Sequence, residues 1–134
     1  MIKVSKRSQY GLRAMLFLAK NYNPLGGAKQ VCSTKRISKE EGIPFDFLEK
    51  IISKIEKANL VKSKKGVSGG YFLSRSPKKI NVKEIMSVLE GSEKTVNCEA
   101  CIKSGSCSAQ NVWQKLDDSF SKTLKSITLA ELIK

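Results

Sequence analysis

Three cysteines, Cys98, Cys101 and Cys107, fall within ten residues in the segment CEACIKSGSC. Their spacing is C-x2-C-x5-C, in a polar stretch where glycine and serine suit turns and no core would claim a thiol. Two thiolates so close in sequence can turn toward one centre, and a third can return to it from across a loop. Such a set suits zinc or an iron–sulfur cluster, each of which normally takes a fourth ligand, or a redox pair of thiols. The chain has no histidine to complete the set. Four cysteines in 134 residues do not suggest a disulfide framework, and a reducing cytoplasm keeps thiols free. Cys32 stands apart, next to an expected helix start, and reads as a small buried apolar residue.

The second chemistry is charge. The formal net charge is +13, and it is unevenly placed. Residues 1–80 carry 18 Lys and Arg against 5 Asp and Glu, whereas residues 81–134 carry 7 of each. A positive excess confined to one part of the chain commonly marks a nucleic-acid surface. An enzyme is not expected: there is no histidine, no glycine motif to cradle phosphate and no nucleophile elbow. With 40% apolar and 28% charged residues the chain reads as one soluble unit. No apolar run approaches the roughly 18 residues of a membrane span, and the basic, then apolar, start lacks a cleavage site. A cytoplasmic protein without a membrane partner is therefore expected.

The elements that would position these groups are mostly helical. Residues 7–22 are apolar on more than one face, which predicts a buried helix stopped by the NPLGG stretch at 23–27. Ser33 or Thr34 can cap a short helix, TKRISKEE, that ends at Gly42. Pro44 then opens a helix to Lys57, in which Leu48, Ile51, Ile52 and Ile55 make one apolar stripe. Lys50, Ser53, Lys54 and Lys57 lie away from it. Two strand-like runs in 60–75 flank a basic, glycine-rich turn, so a helix-turn-helix is followed by a hairpin, the layout of a winged helix. Lys64 and Lys65 can reach phosphate or the minor groove, and Gly66, Gly69 and Gly70 permit positive φ and close approach to a DNA backbone. Asn81 caps a helix ending at Gly91, the cysteine loop follows, and residues 108–126 form a long amphipathic helix. Its stripe of Val112, Leu116, Phe120 and Leu124, with Trp113 beside it, must bury against its own domain or the same helix of a second subunit. Thr128 caps a last short helix, LAELIK. The fold expected is mainly α with a small β-hairpin wing: a winged helix-turn-helix over 1–80, then a cluster-binding loop and dimerisation helices over 81–134.

In this order the parts resemble the Rrf2 family of winged-helix regulators, the group that contains an iron–sulfur assembly regulator and a nitric-oxide sensor. The resemblance runs through YGLRAMLFLA at 10–19, GIPFDFLEKIISKIEKANLVKSKKGVSGGYFLSR at 42–75, EIMSVLEG at 84–91, VWQKL at 112–116 and SITLAEL at 126–132. It implies a homodimer that crosses its long helices and binds near-palindromic double-stranded promoter sites. It also implies an iron–sulfur cluster (2Fe-2S or 4Fe-4S), with Cys98, Cys101 and Cys107 at the ligand positions. Pro44, Phe45, Asp46, Glu49, Lys50 and Lys54 then belong to the recognition helix, and Lys64, Lys65, Gly66 and Gly69 to the wing. Arg7 and Lys35 are further candidate DNA contacts. Family members usually space the first two cysteines more widely. Gln110 stands where some carry a histidine, and Gln9 where others draw an acidic ligand from the partner's first helix, so both are candidate fourth ligands. The function implied is a repressor governed by the cluster. The alternative is a metal-free regulator controlled by thiols or by a protein partner.

Overall fold

Polar residues placed one step ahead of apolar stripes start most of the helices. A computed structural model describes residues 3–91, 100–103 and 105–134. Ser5 caps α1 (Lys6–Lys20), its hydroxyl accepting from the Ser8 amide. Ser33 does the same for α2 (Thr34–Glu41), and Asn81 with Glu84 forms a reciprocal capping box on α4 (Val82–Glu90). Thr128 caps α6 (Leu129–Leu132). α3 (Phe45–Lys57) has Pro44 at its N-cap with no side-chain bond, its ψ of 129° extended as a cap requires. Helix α5 spans Gln110–Lys125, and β1 (Val61–Lys64) pairs antiparallel with β2 (Gly70–Leu73).

The expected helix over 7–22 is shorter at its end. It stops at Lys20, because the Asn21 side chain donates to the Phe17 carbonyl at 2.9 Å and closes the last turn well before Pro24. The helix expected over 108–126 starts later, at Gln110. The turn from α2 to α3 is as expected: Gly42 takes φ 65°, the left-handed conformation that suits glycine, and the chain re-enters a helix three residues on.

All four residues of the α3 stripe, Leu48, Ile51, Ile52 and Ile55, are essentially inaccessible. They pack with Met15 and Leu18 of α1, Ile37 of α2, Ile85 and Leu89 of α4 and Leu129 of α6. Each such side chain contributes about 1.5–3 kcal/mol by leaving water. α1, α3 and α4 meet at Gly11. A Cβ there would lie 2.1 Å from a Leu89 methyl and 3.3 Å from a methyl of Ile51, so any larger residue would force the Leu89 side chain to move.

The hairpin is not a free ribbon. Cys32, just ahead of α2, exchanges two backbone hydrogen bonds with Tyr71 of β2, at 2.9 and 2.8 Å. Gly70 allows this approach, since a Cβ there would stand 2.3 Å from the Cys32 carbonyl oxygen. At the other end, Asn81 and Thr128 pair, and Leu129 donates to Ile80 at 3.0 Å, which ties α6 to the start of α4. α5 differs from every other long helix: none of its residues is buried, and Val112 and Phe120 are 57% and 44% exposed. Among the described residues no helix is long and apolar enough to cross a membrane.

A candidate nucleic-acid interface and the cysteine segment

Because the α3 stripe faces inward, the opposite face of the helix is fixed outward. Asp46, Glu49, Lys50, Lys54 and Lys57 are exposed and, with half-buried Ser53, line one shallow concavity. Asp46 sits in the first turn, where the helix dipole favours an acid, and Lys54 and Lys57 sit in the last, where it favours a base. Pro44 is exposed at the helix entry, whereas Phe45, also expected at the interface, is half-buried. Lys35 is exposed on α2.

The wing presents Lys64 at the end of β1, with Lys65 and Gly66 in the turn, all exposed. Gly66 has φ 111°, as a glycine turn requires. Gly69 is needed for a different reason from the one expected. It lacks positive φ, but a Cβ there would lie 2.3 Å from the Lys64 carbonyl and 2.8 Å from that of Gly66, so the turn closes only over a bare Cα. Ion pairs among the described residues engage Arg13, Arg36 and Arg75, with Glu41, Glu40 and Glu84. Lys50, Lys54, Lys64 and Lys65 form none with a described residue, which leaves their charge for an outside anion.

A second groove adjoins this face, where the first turn of α1 meets α3. Ser5, Lys6 and Arg7 line one side, and Phe47, Lys50, Ile51 and Lys54 the other. Arg7 was an expected contact; Lys6 and Phe47 were not. The Phe47 ring meets Tyr10 edge-on at 5.6 Å, and Lys6 lies 5.9 Å from the Tyr10 ring. An aromatic directly before the buried stripe was the one signal available, since the nearness of α1 is tertiary.

Of the three candidate ligand cysteines, Cys98 lies outside the described residues. Cys101 is exposed in a bend and Cys107 is half-buried three residues before α5; both are free thiols. Gln110 is the first residue of α5, its amide donating to the Cys107 carbonyl at 3.2 Å, so it sits at the helix start. Gln9 is exposed on α1 and spends its side-chain N–H on the Val4 carbonyl at 2.9 Å. Among the described residues no three His, Cys, Asp or Glu side chains gather as a metal site. Accessible thiols used by neither core nor disulfide are the donor type that iron–sulfur clusters and zinc take, so the residues present fit such a group. Cys32 is of the other kind, wholly inaccessible, and burial pushes its thiol pKa up, Arg36 only partly opposing that.

Residues 4–134 match the family model described as Rrf2, an iron-dependent transcriptional regulator. The chain belongs to the Rrf2 family. Among curated Rrf2-type relatives, the Protein rrf2 of Nitratidesulfovibrio vulgaris is 31% identical over 137 residues, covering 99% of this chain and 88% of the relative. Among solved structures, T. potens IscR is 37% identical with a TM-score of 0.78, covering 98% of this chain and 86% of that one. CymR of B. subtilis, the global cysteine regulator, is 32% identical with a TM-score of 0.82, covering 99% and 97%. As an Rrf2 member the chain is a DNA-binding transcriptional regulator of winged helix-turn-helix fold and not an enzyme.

Proposed function

We propose that this regulator acts as a homodimer on near-palindromic promoter sites, chiefly as a repressor, and that Cys98, Cys101 and Cys107 hold an iron–sulfur cluster that sets its DNA affinity. Residues 1–80 supply the DNA-reading head and residues 81–134 the cluster loop and dimer helices. The observation that carries the reading is the exposed Cys101 thiol and half-buried Cys107 ahead of a helix that leaves Val112 and Phe120 exposed. Val112 and Phe120 on two copies of α5 would cover one another and bring two recognition helices onto one duplex. The bound cluster would supply redox and ligand-exchange chemistry at iron. This chain's part is to offer three thiolates and a weak fourth donor, for which Gln110, next to Cys107, is favoured over the partner's Gln9.

Purification without oxygen, followed by an absorption spectrum and iron and sulfide counts per chain, tests the cluster. Visible charge-transfer bands with stoichiometric sulfide are expected, and Gln110→His should slow bleaching in air, imidazole being the better donor to iron. A second reading, a metal-free thiol regulator, draws support from the exposed Cys101 thiol and from the likeness to a cysteine regulator. Colourless protein whose DNA affinity still responds to thiol oxidation would favour it.

A further inference from the structure

The last side chain of α4 reaches the first turn of α1. One oxygen of Glu90 accepts from the Ser5 amide at 3.2 Å, the Ser5 hydroxyl at 2.5 Å and the Ser8 hydroxyl at 2.6 Å. Ser5 is the cap of α1, and Ser8 is 0% exposed. Residues more than 80 positions apart are thus joined through a single carboxylate oxygen. The hydroxyl bonds, Ser5 first and Ser8 next, hold Glu90 below the usual carboxylate range, with the Arg7 charge adding to them. One residue earlier, Leu89 packs in the space that a side chain at Gly11 would need, where α1 also approaches Ile51 of α3. The turn so anchored carries Lys6 and Arg7, which share a groove with Lys50 and Lys54.

We propose that Glu90 is a positioning residue for DNA binding: acting through Ser5 and Ser8, it sets Lys6 and Arg7 beside Lys50 and Lys54, so that four cations meet the phosphates as one preformed cluster. The first amides of a helix have no partner inside it, and an unanchored first turn frays. Lys6 and Arg7 would then have to be ordered at each binding event, and part of their phosphate contact would be lost. Glu90 itself touches no nucleic acid. Its negative charge, taken alone, would oppose DNA, so its removal would strengthen binding if position did not matter. The sign of the effect therefore separates positioning from simple charge.

The test uses the full chain treated with chelator, so that DNA affinity is read apart from any metal, on a short mixed-sequence duplex over a salt series. Glu90→Gln and Ser8→Ala should each weaken binding about tenfold and make the salt slope shallower by about one to two. Amide exchange in the first turn of α1 should speed up while the melting temperature stays within a few degrees of the wild type. The Lys6→Ala/Arg7→Ala double variant should show the same loss, and adding Glu90→Gln to it should cost little more, as groups acting in one chain of contacts require. Unchanged or tighter DNA binding by Glu90→Gln, or losses that simply add, would overturn the proposal. So would a loss of affinity that only follows loss of folded protein. Should Ser8→Ala not fold, the cycle on Glu90 decides alone. Failure of the wild-type chain to bind duplex DNA would instead count against the DNA-binding reading on which this rests.

Discussion

The packed helical core and the stretch from Cys101 through α5 handle their apolar and reactive groups in opposite ways. In α3 every apolar residue of the stripe is covered by the chain's own helices, and only polar or charged side chains and Phe47 stand out. In α5 a stripe of similar regularity is left without one buried residue. The cysteines divide along the same line: Cys32 lies sealed in the head, while Cys101 is exposed near α5. A region that completes its own packing reads as a tool with a fixed shape. One that leaves the Cys101 thiol, Val112 and Phe120 exposed is where the proposed partner subunit and cluster would be added.

The contrast is broken most severely from the packed side. Leu48→Ala should cost about 2–5 kcal/mol of stability by urea unfolding, since it opens a cavity under α3. Phe120→Ser, in contrast, should leave stability of the single chain within about 1 kcal/mol but shift sedimentation from dimer to monomer. Equal stability losses in the two variants would show that α5 is folded into the core after all.

The cysteines sharpen the comparison next. Cys98→Ala, Cys101→Ala and Cys107→Ala should each abolish visible absorbance with helical circular dichroism unchanged. Cys32→Ala should keep its colour and lose about 1 kcal/mol in thermal unfolding, as a small core truncation does. A smaller effect belongs to the wing: Lys64→Ala or Lys65→Ala should weaken binding to all sequences alike and lower the salt slope by about one each.

The smallest expected effect is on acid stability. Because the folded state depresses the Glu90 pKa, the bond it makes is fully present above the carboxylate's unfolded pKa and is lost as pH falls through the lower folded value. Amide exchange at Ser8, followed downward in pH, should therefore change only in acid and not near neutrality. In Glu90→Gln that acid-dependent step should vanish.

What was legible in the sequence was what is local. Ser33, Asn81 and Thr128 announce their helices because a cap acts within three residues, and the α3 stripe announces its buried face because helical spacing is periodic. The wing could be read from two strand-like runs on either side of a basic, glycine-rich turn. Glu90 could not, since its partners Ser5 and Ser8 lie more than 80 positions away in sequence and nothing in EIMSVLEG marks one acid as a latch. Nor could Lys6 and Phe47, whose shared groove exists only once α1 lies across α3. Gly69 was noticed for the wrong property: its φ is ordinary, and crowding by two carbonyls is what demands glycine. Asn21 ended α1 sooner than Pro24 because a side-chain bond to Phe17 closes the turn before the ring can interrupt it.

The backbone pairing of Cys32 with Tyr71 has a consequence for the way the protein meets DNA. A two-stranded hairpin alone is marginal in water, and a flexible wing would have to be frozen each time it reached a duplex. Held by a third length of backbone at the foot of α2, this hairpin is tied to the helical core before any nucleic acid arrives. Little ordering entropy is then charged against binding. The same stiffness carries a penalty in tolerance, because wing and helix must find their phosphates at one fixed span. On the proposed function, a duplex whose groove width departs from that span would have to bend to the protein.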